Sequence, residues 1–139
     1  MPGCNAPISL RDREAVHIDI DNLKAGALRA GRSGAHGDLF MSAASPGVVS
    51  LFFHNEYYKT HEEYLFAIAD AMQYEYESIA NAGVILQLDC PDLGMGRHVQ
   101  YADLSLEAFR KRARLHIEAL NHAVRNIAQI GRASCRERV

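Results

Sequence analysis

The chain has no tryptophan, and only three cysteines and four prolines among its 139 residues. Cys4, Cys90 and Cys135 are too few and too far apart for a disulfide framework or a CxxC metal knuckle, so the expected setting is the reducing cytoplasm. An excess of one charge is also missing: 15 Lys and Arg stand against 17 Asp and Glu. No strong field points to nucleic acid or to an anionic membrane, and neither is expected as a partner. No apolar run approaches the roughly 20 residues of a membrane span. The opening "MPGCNAPISL" lacks the basic segment and following apolar stretch of a signal peptide. At 48% hydrophobic and 23% charged, the composition is that of a soluble globular chain.

The last residues differ from the rest. "IGRASCRERV" (Ile130 to Val139) has three arginines, a cysteine and no apolar period. It back-translates codon by codon into ATCGGAAGAGCGTCGTGTAGGGAAAGAGTG, which looks like a common sequencing-adapter oligonucleotide read in frame, with Gln129 supplying its leading bases. The alternative is a basic tail for an acidic partner. On the adapter reading, residues 1–128 are a partial domain and 129–139 a non-natural tail.

The remainder alternates short apolar runs with long segments of helical period. "CNAPIS" (4–9) reads as a short strand weakened by Pro7. A helix is expected over 11–30, with Val16, Ile20, Leu23 and Ala27 on one face and Gly31 as its C-terminal glycine. A loop follows over 31–37, then a second strand over 38–45 stopped by Pro46-Gly47, then a long aromatic connector over 48–60. Thr60-x-x-Glu63 is a capping box opening a helix whose apolar stripe is Leu65, Ile68, Met72, Tyr76 and Ile79, ended by Gly83. A third strand starts at Val84. A glycine-containing loop over 91–104 leads to a last helix capped by Ser105, with Leu106, Phe109, Ala113, Ile117, Leu120, Val124 and Ile127 inward.

Three βα units with buried-type strands predict an α/β fold with a parallel sheet covered by helices. A (β/α)8 TIM barrel needs about 250 residues, so about three units make a fragment of one. In such folds the loops leaving the carboxyl ends of the strands form the site.

Polar residues at those ends are therefore the candidates. Gln87 and Asp89 are two apart on one strand face, opposite Leu86 and Leu88, and can bind an ammonium or a hydroxyl; the alternative is an internal hydrogen-bond network. Ser45 ends the second strand and points a hydroxyl toward the barrel mouth, or only caps the turn. Asn55 and Tyr58, in "FFHNEYY", lie on a loop that could cover a ligand or pack on the rim. His98 suits proton transfer or anion binding, or is simply exposed. No metal site is expected within the chain: Cys90 and His98 lack a neighbouring pair, and His116 and His122 have no i,i+4 partner.

"SAASPGVVSLFFHNEYYKTHEEYLFAIADAMQYEYESIANAGVILQLDCPDLGMG", followed by "LHIEALNHAVRNI", resembles the cobalamin-independent methionine synthase family in its catalytic-domain-only, archaeal-type branch. The resemblance spans Ala6 to Ile127. Its most specific part, "AG…LQLDCPDL", is similar to the family's AG-x-x-x-Q-x-D-[DE]-P-x-L. It implies a TIM barrel, shared with uroporphyrinogen decarboxylase and zinc-dependent thiol alkyltransferases. It also implies a zinc-bound thiolate, such as homocysteine, attacking the methyl group of a methyltetrahydrofolate. Asp89 matches the acidic residue that contacts the amino-acid substrate, and Ser45 matches a turn near substrate more loosely. Cys90 stands where the family has an acidic residue. The family's zinc ligands, beginning with His-x-Cys, would lie beyond Ile127, so the chain alone is expected to be inactive. Rival expectations are a decarboxylase of the uroporphyrinogen type and a small non-enzymatic α/β module. The methyl donor, the thiol acceptor and the oligomeric state are not set by the residues.

Overall fold

A computed structural model describes residues 2–34 and 38–128. The expected tail over 129–139, and part of the loop over 31–37, lie outside them. The chain runs β1 (Gly3–Cys4), α1 (Glu14–Arg29), β2 (Phe40–Ala44), α2 (Pro46–Phe52), β3 (His54–Asn55), α3 (His61–Asn81), β4 (Ile85–Asp89), two single 3-10 turns (Pro91–Leu93 and Met95–Arg97) and α4 (Leu106–Ala123). It is an α/β fold with short parallel strands, and the described strands close no barrel.

Local chemistry explains most boundaries. The Thr60 hydroxyl accepts from the Glu63 N–H at 3.1 Å, and the Glu63 carboxylate accepts from Lys59 N–H at 3.1 Å. The reciprocal cap therefore forms, with its return bond one residue earlier than in the usual box. Gly83 at φ 77° and Gly31 at φ 71° take the left-handed conformation that turns the chain out of α3 and α1. The Ser105 hydroxyl accepts from Ala108 N–H at 3.2 Å and opens α4.

Three expectations need correction. The strand expected over 4–9 is reduced to Gly3–Cys4 and pairs only with β3, away from the main sheet; Pro7 has no N–H to donate to a ladder. The connector over 48–60 begins with a helix: Ser45 caps it, accepting from Val48 N–H at 3.1 Å, and Pro46 occupies its first turn. Proline ends the strand and starts the helix in one step, because its missing N–H costs nothing there. Of the expected inward face of α4, Val124 is buried and Leu120 and Ile127 pack against the core, but Leu106 and Ile117 are 54% and 43% exposed, and His116, Ala119 and Ala123 are buried instead. Small residues let α4 lie close against α3.

The sheet that matters is β2 beside β4, parallel, with Phe40 opposite Ile85, Ser42 opposite Gln87 and Ala44 opposite Asp89. Alternation along the strands divides it into two faces. Ala43 and Leu86, with Met41 and Leu88 at the margin, pack into one core with Ile20 of α1, Leu65, Tyr76 and Ile79 of α3, and Ala119 of α4. Among the described residues, the helices packed on the sheet, α1, α3 and α4, lie on that side of the strands.

Candidate functional site

The second face of the sheet is bare. Phe40, Ser42, Ile85, Gln87 and Asp89 are all exposed on it, and Ala44 is half-buried. The pairing register sets Ser42 beside Gln87 and carries Asp89 to the carboxyl end, where the Asp89 carbonyl accepts from Ser45 N–H at 3.0 Å. The row runs from apolar (Phe40, Ile85) through hydroxyl and amide (Ser42, Gln87) to carboxylate (Asp89). Such a gradient suits a ligand with a cationic or hydrogen-bonding head and an apolar remainder. Gln87 and Asp89 thus share a face, as expected.

Behind the same strand ends lies a buried polar chain. The Ser45 hydroxyl donates to Asp92 Oδ1 at 2.7 Å, and Asp92 Oδ2 meets His116 Nδ1 at 2.8 Å. Ser45, Asp92 and His116 are each 2% exposed. His116 Nε2 in turn faces His61 Nε2 at 3.3 Å. The two ring centres are 5.5 Å apart, close to that gap plus the two ring radii, so the nitrogens meet head-on. A carboxylate only accepts, so His116 carries a hydrogen on Nδ1. Gly47 makes room for the chain: a Cβ there would collide with the Asp92 carboxylate and the His116 ring.

The surroundings are tuned by burial. His61 is lowered from 6.5 to about 4, first by desolvation, then by the Arg112 charge and by His116. The Tyr101 hydroxyl is raised, chiefly by burial, with Arg112 opposing and Asp92 assisting. Tyr76, fully buried, donates its hydroxyl to the Ala44 carbonyl, and burial raises its pKa strongly. Among the described residues no buried side-chain N or O lacks a partner.

The other candidates are turn-forming groups. Asn55 Oδ1 accepts from Tyr57 and Tyr58 N–H at 3.2 and 2.8 Å, and its amide donates to the Tyr58 carbonyl at 2.8 Å. The Tyr58 hydroxyl accepts from Ile8 N–H at 2.8 Å, which ties the N-terminal segment to this turn. His98 is exposed after the second 3-10 turn. Ser45 is turned inward: its hydroxyl serves Asp92 and the α2 cap instead of an open mouth. Asp92, His116, His61 and Gly47 were not singled out as site residues from the sequence. Their only local signal is the Ser-Pro-Gly turn and an aspartate one residue after a proline.

No family model, curated protein or solved structure matches the chain. Among the described residues no helix is long and apolar enough to cross a membrane. Nor do three or more His, Cys, Asp or Glu side chains come together there to hold a metal ion. His61 and His116 aim their Nε2 atoms at each other and not at a common third point, so the residues present do not fit a zinc site.

Proposed function

We propose that this chain is the amino-acid-binding part of a (β/α)8 enzyme that methylates a thiol, of the cobalamin-independent methionine synthase type. In that reading a methyl group passes from a methyltetrahydrofolate to the thiolate of an amino acid such as homocysteine. The observation that carries it is the bare β2–β4 face, with Gln87 and Asp89 toward its carboxyl end and α1, α3 and α4 packed behind it. A parallel sheet is normally covered on both faces. One uncovered face with apolar residues low and polar ones at the carboxyl end is the pattern of barrel strands seen from the barrel axis. The resemblance of "LQLDCPDL" to the family motif adds Asp89 as the group that meets the substrate ammonium, with Gln87 beside it. An exposed carboxylate can form such a charge-assisted bond without first losing an internal partner.

Asp92 and its histidines have a supporting part. They hold the turn that follows β4 and the start of α2, and so fix the two strand ends that frame the site. Cys90, between Asp89 and that turn, stands where the family has its second acidic residue, and with that change the residues do not set which thiol is the acceptor.

The deciding experiment reads the same gene beyond codon 128. A continuation with a strand bearing His-x-Cys within roughly 15 residues of Ile127 is expected from ordinary connection lengths. The extended protein should then bind zinc and methylate a thiol. A next strand without that pair sinks the zinc methyltransferase reading and favours the decarboxylase type.

A further inference from the structure

We propose that the Ser45–Asp92–His116–His61 chain is an acid-opened latch, which clasps the starts of α2 and α3, the turn after β4 and α4 together until both imidazoles carry a proton. The clasp joins four elements far apart in sequence. Ser45 opens α2, Asp92 lies in the first 3-10 turn, His116 is on α4, and His61 is the first residue of α3. None of the four is replaceable by local hydrogen bonds, since the partners are 47, 24 and 55 residues apart.

The head-on contact sets the proton count. With both rings neutral, one Nε2–H points at one lone pair. One added proton leaves that bond intact, because an imidazolium N–H still faces a neutral ring. A second proton puts two N–H donors nose to nose at 3.3 Å with no acceptor between them. The contact must then break. The groups around the pair make the second charge harder to place. Arg112 of α4 bears on His61, Tyr64 of α3 lies edge-on to it, and Tyr101 lies edge-on to His116. Among the described residues Asp92 is the one carboxylate bonded to the pair, Glu62 and Glu118 share a neighbouring groove with Lys111, Arg112 and Arg114, and α2 contributes no titratable side chain.

His61, depressed from 6.5 to about 4, gives the window and the sign. The unfolded or opened chain binds this proton below pH 6.5, whereas the clasped one resists it until about pH 4. Closure is therefore fully favoured above pH 6.5 and weakens as pH falls toward 4. Because the turn after β4 follows Asp89 directly, opening loosens the carboxyl end of the bare face. The latch does not depend on which ligand that face takes.

Hydrogen–deuterium exchange with mass spectrometry on the full chain tests this, and it tolerates self-association. After correction for the intrinsic pH dependence of exchange, protection of residues 44–52 and 90–97 should fall about tenfold or more between pH 6.5 and 4. In His61→Gln the fall should vanish, because the amide N–H donates to the Nε2 lone pair of neutral His116, the amide oxygen can accept from that nitrogen once it carries a proton, and the amide does not titrate. An equal fall in His61→Gln, or flat protection in the wild type, overturns the latch. If His61→Gln unfolds at every pH, nitrogen-15 resonances of the wild-type imidazoles decide. Loss of protection must then coincide with charging of the second ring, and intact protection with both rings charged overturns the proposal.

Discussion

Two aspartates three positions apart carry different work. Asp92 is 2% exposed and bonds both Ser45 and His116, so removing it strands a hydroxyl and an imidazole N–H in the core. Asp92→Ala should cost about 3–5 kcal/mol in urea unfolding, as for breaking a buried pair from one side. Asp89 is exposed, and Asp89→Asn should stay within about 0.5 kcal/mol of wild type. In the proposed extended enzyme the effects should exchange places. Losing a charge-assisted contact worth about 1.5–3 kcal/mol should raise the KM for the thiol amino acid roughly ten- to a hundredfold, with metal content unchanged. If Asp89→Asn destabilises the chain as much as Asp92→Ala, or leaves the kinetics of the extended enzyme untouched, the division of roles is wrong. Asp89 could be singled out from the sequence because its alternation with Leu88 is local. Asp92 could not, because its meaning comes from a serine 47 residues earlier and a histidine 24 residues later.

At the scale of elements, legibility followed the range of the interactions. The Thr60 and Ser105 caps and the Gly31 and Gly83 exits are satisfied by atoms within a few residues, and those helix ends were readable. The α2 helix was not, although Ser45-Pro46 is a good start signal, because seven residues leave too little periodicity to separate helix from connector. On α4 most of the expected stripe holds: Val124 is buried, and Leu120 and Ile127 pack against the core. Leu106 and Ile117 fall outside it, because the buried face is turned toward His116, Ala119 and Ala123, where His116 finds Asp92. That orientation can be measured. Ile117→Lys in the full chain should change stability by no more than about 0.5 kcal/mol, whereas Ala123→Leu, overfilling a position with 0% exposure, should cost about 1–3 kcal/mol. The reverse order in thermal or urea unfolding would return Ile117 to the buried face.

At the scale of the molecule, helices on one side only leave a large apolar element unsatisfied. Phe40 is 58% and Ile85 39% exposed on the uncovered face, directly opposite each other. The outer edges of β2 and β4 have no further strand among the described residues. Exposed apolar surface beside open strand edges favours association. The full chain should therefore bind a hydrophobic fluorescent dye at neutral pH and sediment as more than a monomer. Phe40→Ser with Ile85→Ser should weaken both effects while barely changing unfolding, because neither side chain is buried. The same Phe40→Ser in the longer protein should behave oppositely. If other strands complete a barrel there, Phe40 enters its interior, and truncating a buried phenylalanine costs about 3–5 kcal/mol. The contrast between the two lengths is the informative quantity. A substitution neutral in both, together with a dye-silent monomer that melts cooperatively, would mean that the bare face meets solvent in the working protein. It would then favour a small self-standing α/β module over the barrel.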